Sequence, residues 1–301
     1  MTSIIPTSAQ QWRIPQRGGI DSLKLVDFKV PQPNVCFSCV VESKLTWKEF
    51  LGDVKSQEVM DSGLGGGWDG VFTQYKVFPA FGLVKIPDSL SFEEASTLPC
   101  AALSTGGVSI FAMQFALSSG AHCIITSSSD AKLQKAKEIA GVHASRLHLI
   151  NYTKTPEWAE EVRKIVPLGV NFVVEVGGNA TLPKSYKSLA FGGMVAAVGF
   201  VGGAGERFPD ANGLVITTGG ATHRGILIGS RDQFEQMNAH IEANSLKPSV
   251  YKVFKFGEMI EAYSYLQSQK VKWTLRVSHC IPLKFGVSLQ HVGKVVVKFF
   301  D

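Results

Sequence analysis

The chain is poor in the features that mark several protein classes. It has five cysteines in 301 residues, Cys36, Cys39, Cys100, Cys123 and Cys280. An odd, dispersed set of this kind builds no disulfide framework and suits a reducing compartment. Cys36 and Cys39 form a C-x-x-C pair with no second pair and no nearby histidine. Structural zinc normally takes four ligands. Of the seven histidines (His122, His143, His148, His223, His240, His279 and His291), His279 stands beside Cys280, and none makes a four-ligand pattern with the cysteines. Zinc is therefore not expected. Charged residues make up 18% of the chain, and its net charge of +5 is scattered rather than gathered into a stripe. A nucleic-acid groove would need such a stripe. There is no apolar run of about 18 residues, the length a membrane helix requires. The first residues, MTSIIPTSAQQW, lack the basic and apolar regions of a secretory signal. The expected location is cytoplasmic. No Ser-His-Asp order or paired-carboxylate signal stands out.

A hydrophobic content of 45% over 301 residues allows two domains and a large core. The stretch around which the chain is organised is TGGVSIFAMQFALSSGAHCIITSSSDAK, residues 105–132. Val108, Phe111, Ala112, Phe115 and Ala116 recur at helical spacing and predict one apolar face. Gly106 and Gly107 form a turn into this helix and, with Val108 after them as a further cofactor-binding candidate, would let backbone N–H groups approach a pyrophosphate. Gly120 stands where helices end on a glycine with positive φ. Cys123, Ile124 and Ile125 read as a buried strand, followed by Ser127, Ser128, Ser129 and Lys132. The carboxyl end of a parallel strand is where open α/β sheets bind ligands. An NAD site usually places an acid here on the ribose 2′-hydroxyl. Hydroxyls and an ammonium instead favour a 2′-phosphate, so the site reads as preferring NADP over NAD. Asp130, one residue beyond the serines, is the group that opposes this reading. The alternative for the whole stretch is an ordinary amphipathic helix entered through a Gly-Gly turn.

A dinucleotide fold should carry an apolar strand before the glycines. SFEEASTLPCAALS, residues 91–104, has no strand pattern. Ser91 with Glu93 and Glu94 reads instead as a helix start. Elsewhere SLKLVDFKV alternates as a strand ended by Pro31 and Pro33. Val71, Thr73, Tyr75 and Val77 alternate as another, and Leu83, Val84 and Ile86 suggest a third. WKEFLGDVKSQEVM offers at most a short helix.

GGGWDGVFTQYKVFP, LVKIPDSLSFEEASTLPCAAL and TGGVSIFAMQFA together resemble the medium-chain dehydrogenase/reductase superfamily, in its zinc-free quinone-reductase-like and alcohol-dehydrogenase-like branch. The resemblance implies an α/β fold: a Rossmann-type parallel sheet domain plus a GroES-like β domain, to which the chain returns at its end. It continues through VHASRLHLINY (142–152), the helix WAEEVRKIV, the strand VNFVVEVGG, the helix TLPKSYKSLAFGG with a glycine stop, the strand MVAAVGFVGG (194–203) and GILIGSRDQFEQM, a last strand and then a helix. LKPSVYKVFKFGEMIEAYSYLQSQK and HVGKVVVKF (291–299) match the returning segment. The resemblance further implies that Tyr152 lies over the adenosine phosphate, with a surface tyrosine at a strand end as the alternative. It also implies that the backbone at Gly177 approaches the cofactor, and that Gly199, Phe200 and Val201 line the nicotinamide pocket.

The resulting domain reading is a reduced GroES-like domain over 1–103, a Rossmann cofactor domain over 104–240, and a return to the first domain over 241–301. Residues 271–290 read as an insertion or a long surface loop. The family's long substrate-side segment is replaced by residues 34–64, so catalytic residues and substrate cannot be assigned. The first Rossmann strand is missing as well. One parallel sheet is expected from strands near 123, 147, 170, 194 and 225, with its central position empty or improvised. The function implied is NADP-dependent, zinc-independent hydride transfer to or from a carbonyl, quinone, enone or alcohol; the alternative is a non-catalytic or defective remnant of such an enzyme. Expected partners are a small-molecule substrate and a second copy in a homodimer, with no nucleic acid and no membrane.

Overall fold

The structure is a computed structural model that describes residues 6–13, 22–30, 41–42, 70–78, 83–99, 105–199, 217–226, 229–268 and 294–298. At the amino end, β1 (Ser8–Arg13) and β2 (Lys24–Lys29) pair antiparallel, with Trp12 opposite Leu25. β3 (Val41–Glu42) pairs antiparallel with β4 (Leu83–Val84). The alternating residues Val71 to Val77 do not make the expected strand. They touch β1 through a single bridge between Gln11 and Thr73. Two backbone bonds flank that bridge, Trp12 N–H to the Phe72 carbonyl at 2.8 Å and Gln74 N–H to the Gln10 carbonyl at 3.1 Å, while the Gln10 N–H turns to Gln74 Oε1 at 2.9 Å instead of extending the ladder.

Ser91 starts α1 (Phe92–Ala95) as expected, through a reciprocal box. Glu94 N–H reaches Ser91 Oγ at 3.2 Å and Ser91 N–H reaches Glu94 Oε2 at 2.9 Å. This capped turn sets Ala95 and Leu98 into the core. The main helix, α2 (Thr105–Ser118), differs from its one-faced reading. Phe111 packs with Leu90, Leu98 and Ile241, while Ile110, Met113 and Leu117 pack on its other side against Ala136 and Ala140. A helix apolar on both sides is a buried helix. Gly106 and Gly107 are helical residues of its first turn rather than a turn before it. Gly120 ends it at φ +89°, with Gly120 N–H on the Leu117 carbonyl and Ala121 N–H on the Ala116 carbonyl. These two bonds are a Schellman closure.

β5 (Cys123–Ser127) runs parallel to β6 (Leu147–Asn151), with Ser127 opposite Asn151. The crossover is α3 (Asp130–Ala140), which buries Leu133, Ala136 and Ala140. After α4 (Trp158–Ile165), β7 (Val170–Glu175), β8 (Leu189–Ala197) and β9 (Thr222–Gly225) form a second parallel sheet in that order. β8 begins at Leu189, not Met194, and α5 (Leu182–Ser188) stops without a glycine. The AFGG segment is absorbed as an irregularity in the β7 pairing, with Gly192 at φ +72°. β9 likewise comes earlier than GILI predicts.

The expected single sheet is thus two sheets, of order β5-β6 and β7-β8-β9. In a doubly wound fold of order 3-2-1-4-5-6 the first strand lies between the second and the fourth. Those are β5 and β7 here, and the break falls between them. Among the described residues no strand joins the two inner edges. Residues 85–99 hold turns and α1 instead, while 100–104 lie outside the described residues.

α6 (Arg231–Ala243) starts on a Ser230–Gln233 capping box. β10 (Val250–Lys255) pairs parallel with β11 (Lys294–Lys298), and α7 (Met259–Ser268) follows β10. The two ends of the chain meet: Trp12 Nε1 donates to the Phe256 carbonyl at 3.0 Å, and Phe72 meets Tyr263 edge-on at 5.7 Å. Residues 34–40, 43–64 and 271–290 lie outside the described residues. Among the described residues no helix is long and apolar enough to cross a membrane.

Candidate functional site

The carboxyl ends of the parallel strands gather most of the residues singled out in the sequence. Ser127 ends β5 and Ser128 and Ser129 follow it. The Ser129 N–H points to Ser127 Oγ at 3.4 Å, so the three serines turn tightly into α3. Lys132 stands in the first turn of that helix. It is half-buried, burial pushes its ammonium pKa down, and among the described residues it makes no ion pair.

Asp130, the residue that opposed the NADP reading, is already engaged. Its Oδ1 accepts Asn151 Nδ2 at 2.7 Å and its Oδ2 accepts Lys154 Nζ at 2.6 Å. These bonds, Asn151 first and Lys154 second, hold its pKa below the ordinary aspartate range. Tyr152 lies beside the serines, where its N–H donates to the Ser127 carbonyl at 3.0 Å. Thr153 Oγ1 reaches the Ser128 carbonyl at 3.4 Å. Asp130, Asn151, Lys154 and Thr155 also line an open cavity of about 440 Å3 floored by Leu133 and Ile150.

At the end of β7 the chain makes a second construction. Glu175 is 4% exposed, and its Oε1 accepts the N–H groups of Gly177 and Gly178 at 2.7 and 3.0 Å and Thr181 Oγ1 at 2.7 Å. Ser185 Oγ donates to the other oxygen. Four donors on one buried carboxylate fix the β7–α5 loop, and a side chain at Gly177 would collide with Thr181. Gly199, past the end of β8, lies close on Val176, whose carbonyl a Cβ would meet at 3.1 Å. Val108 is 3% exposed, so its side chain serves the core. Phe200 and Val201 lie outside the described residues.

The sequence reading missed Glu175, Asn151 and Lys154. Glu175 had a visible signal, an acid closing an apolar strand immediately before Val-Gly-Gly. Lys154 had none, because its partner lies 24 residues away.

The profile of the family described as zinc-binding dehydrogenase matches residues 107–243. A zinc-type alcohol dehydrogenase-like protein of Schizosaccharomyces pombe is 41% identical over 275 residues, covering 83% of this chain and 72% of that one. The chain belongs to the zinc-type alcohol dehydrogenase-like family. It is thereby a member of the medium-chain dehydrogenase/reductase oxidoreductases. The fold agrees. The crystal structure of an NAD-dependent alcohol dehydrogenase superposes with a TM-score of 0.72 at 21% identity, covering 97% of this chain and 100% of that one. A crotonyl-CoA carboxylase/reductase in complex with NADP superposes with a TM-score of 0.66 at 14% identity, covering 89% and 93%.

The family's name raises the question of zinc. Among the described residues no three His, Cys, Asp or Glu side chains group to hold a metal ion. Cys123 is half-buried in the apolar cluster under α2, its Sγ lies 3.9 Å from the Met113 carbonyl, and burial raises its thiol pKa. A thiol kept protonated is a poor zinc ligand. Several histidines have other neighbours: His240 Nε2 lies 2.8 Å from Ser118 Oγ, His143 Nδ1 lies 2.8 Å from Arg146, and His223 meets Tyr186. The described donor set does not fit a zinc site. Cys36, Cys39, Cys100, Cys280 and His279 lie outside the described residues.

Proposed function

We propose that this chain is an NADP-dependent, zinc-independent oxidoreductase that passes a hydride to or from a carbonyl, quinone, enone or alcohol. The observation that carries the reading is the end of β5, where three serines and Lys132, which makes no ion pair among the described residues, stand beside a carboxylate already engaged by Lys154. A 2′-phosphate there would gain hydroxyl donors and a partly desolvated ammonium. The nicotinamide cofactor, when bound, supplies the hydride chemistry, and the protein supplies position. The first-turn N–H groups of Gly106 and Gly107 at the start of α2 suit a pyrophosphate. The loop fixed by Glu175 presents the backbone at Gly177, and Tyr152 stands at the β6 end, on the adenosine side. Gly199 marks the nicotinamide side.

A homodimer belongs to the reading: β9 is exposed along its whole length and, among the described residues, pairs on one side alone, and such a sheet edge invites a second strand. The dispersed cysteines support a cytoplasmic setting. A second reading, a remnant that binds cofactor weakly and turns over little, is favoured by the split between the β5-β6 and β7-β8-β9 sheets.

Titration of the purified chain with NADPH and NADH, alongside circular dichroism and elemental analysis, tests both. NADPH binding tighter than NADH, with no stoichiometric zinc, supports the proposal. Tighter NADH binding, or zinc whose removal abolishes activity, refutes it. A folded chain that binds NADPH but reduces no quinone, enone or carbonyl favours the remnant.

A further inference from the structure

We infer that Lys154, oriented with Asn151, sets the dinucleotide specificity of this site by engaging the Asp130 carboxylate that would otherwise select against a 2′-phosphate. The inference rests on the NADP reading above and adds the residues responsible.

Asp130 follows the three serines directly, so its charge lies beside the position a 2′-phosphate would take. Left free, it would repel that group and accept a hydrogen bond from an unphosphorylated ribose, as acids do in NAD sites. Here each of its oxygens already carries a donor, at 2.7 Å from Asn151 and 2.6 Å from Lys154. The donors are themselves held. Asn151 Oδ1 accepts the Thr153 N–H at 3.0 Å, which turns its amide nitrogen toward Asp130. The Lys154 N–H closes the same turn on the Asn151 carbonyl at 3.1 Å, and Tyr152 N–H ties the turn to Ser127. The device therefore spans the ends of β5 and β6, and exists only because Ser127 and Asn151 are paired in register. With Lys132, Lys154 and Asp130 counted together, the corner carries one net positive charge instead of none.

The Lys154 and Asp130 side chains are 69% and 60% exposed, so the coupling is a screened, surface-strength one. An interaction of that class changes an affinity by up to about fivefold. It acts on the ratio of two ligands rather than on folding, which separates a specificity role from a structural one.

The test is a double-mutant cycle on the whole chain at low ionic strength. NADPH and NADH affinities are measured for wild type, Lys154→Met, Asp130→Asn and the double variant, with thermal melts for each. Lys154→Met should lower the NADPH-to-NADH affinity ratio about twofold to fivefold. Adding Asp130→Asn in that background should bring the ratio back to the wild-type value or above it. Equal weakening of both dinucleotides by Lys154→Met, or no recovery on adding Asp130→Asn, overturns the inference. The wild-type ratio reports separately on the NADP reading. If wild type prefers NADH, that reading fails, yet the cycle still decides the role of Lys154, because freeing or removing the Asp130 charge moves the ratio whichever cofactor leads. A folded wild type that binds neither dinucleotide overturns both.

Discussion

Oε1 of the buried Glu175 accepts the backbone N–H of Gly177 at 2.7 Å, so one carboxyl group at the end of β7 fixes the loop that enters α5. Glu175→Ala should leave two backbone N–H groups and two hydroxyls without their acceptor. Stranding buried donors costs about 1–3 kcal/mol, and more where a charged partner is lost. The urea midpoint should fall accordingly, and NADPH should bind more weakly. A variant with the wild-type midpoint would show that the loop is held by something else.

Gly177→Ala should strain the same loop from the other side. Its Cβ would stand 2.2 Å from Thr181 Oγ1, a group kept in place by its own bond to Glu175. Overpacking of this kind costs about 1–3 kcal/mol. Gly225→Ala is the control, since nothing lies within 4 Å of its Cβ and the change should stay within about 0.5 kcal/mol. Urea denaturation of both variants checks the contrast, and equal losses would contradict it.

Asp130 gives a pH dependence with a defined sign. Hydrogen bonds from Asn151 and Lys154 hold its folded-state pKa below the ordinary value. A depressed carboxylate stabilises the fold above its unfolded pKa, and that contribution disappears as pH falls through the folded one. The stability difference between wild type and Asp130→Asn should therefore be constant near neutrality and shrink below the ordinary aspartate range. Because the pair is exposed, added salt should shrink it too. A difference that grew on acidification would reverse the assignment.

The two parallel sheets break between β5 and β7. Inserting an apolar strand ahead of Thr105 should supply a centre that pairs both edges and seats the start of α2 against a pyrophosphate. A higher melting temperature and tighter NADPH binding are expected. A positioning error of about 1 Å can cost on the order of 100-fold in rate, so turnover should rise as well. An inserted strand that changes none of the three would mean that the break is not what limits the chain.

The local elements were readable because each is written in neighbouring residues. Ser91 with Glu94 declares its capping box, Gly120 its helix end, and Cys123 to Ser127 its strand. SLKLVDFKV declares β2 by its alternation, whereas β1 and its register on β2 appear only in the structure. The errors arose where a local pattern met a competitor out of sight. Val71 to Val77 alternate well, but the Gln74 side chain takes the Gln10 N–H that would extend the ladder. The AFGG glycines look like a helix stop, yet the β7 pairing absorbs them. The helix at Thr105–Ser118 showed one apolar face because its second face, Ile110, Met113 and Leu117, finds a partner only after α3 returns against it.

For the site, the sequence by itself determined which residue types stand at each strand end: serines and Lys132 after β5, Tyr152 after β6, glycines after β7 and β8. Spacing was enough for the β5 end and the family resemblance supplied the others, because a strand end is a position along one chain. Only the tertiary structure decided what Asp130 and Glu175 do. A carboxylate's electrostatic role depends on which donors lie within about 3 Å, and those donors come from other elements. Lys154 reaches Asp130 across a parallel strand pair, while Thr181 and Ser185 reach Glu175 from the helix that follows it. Hydrogen bonds fall off over a fraction of an ångström, so that information exists only once the strands are in register.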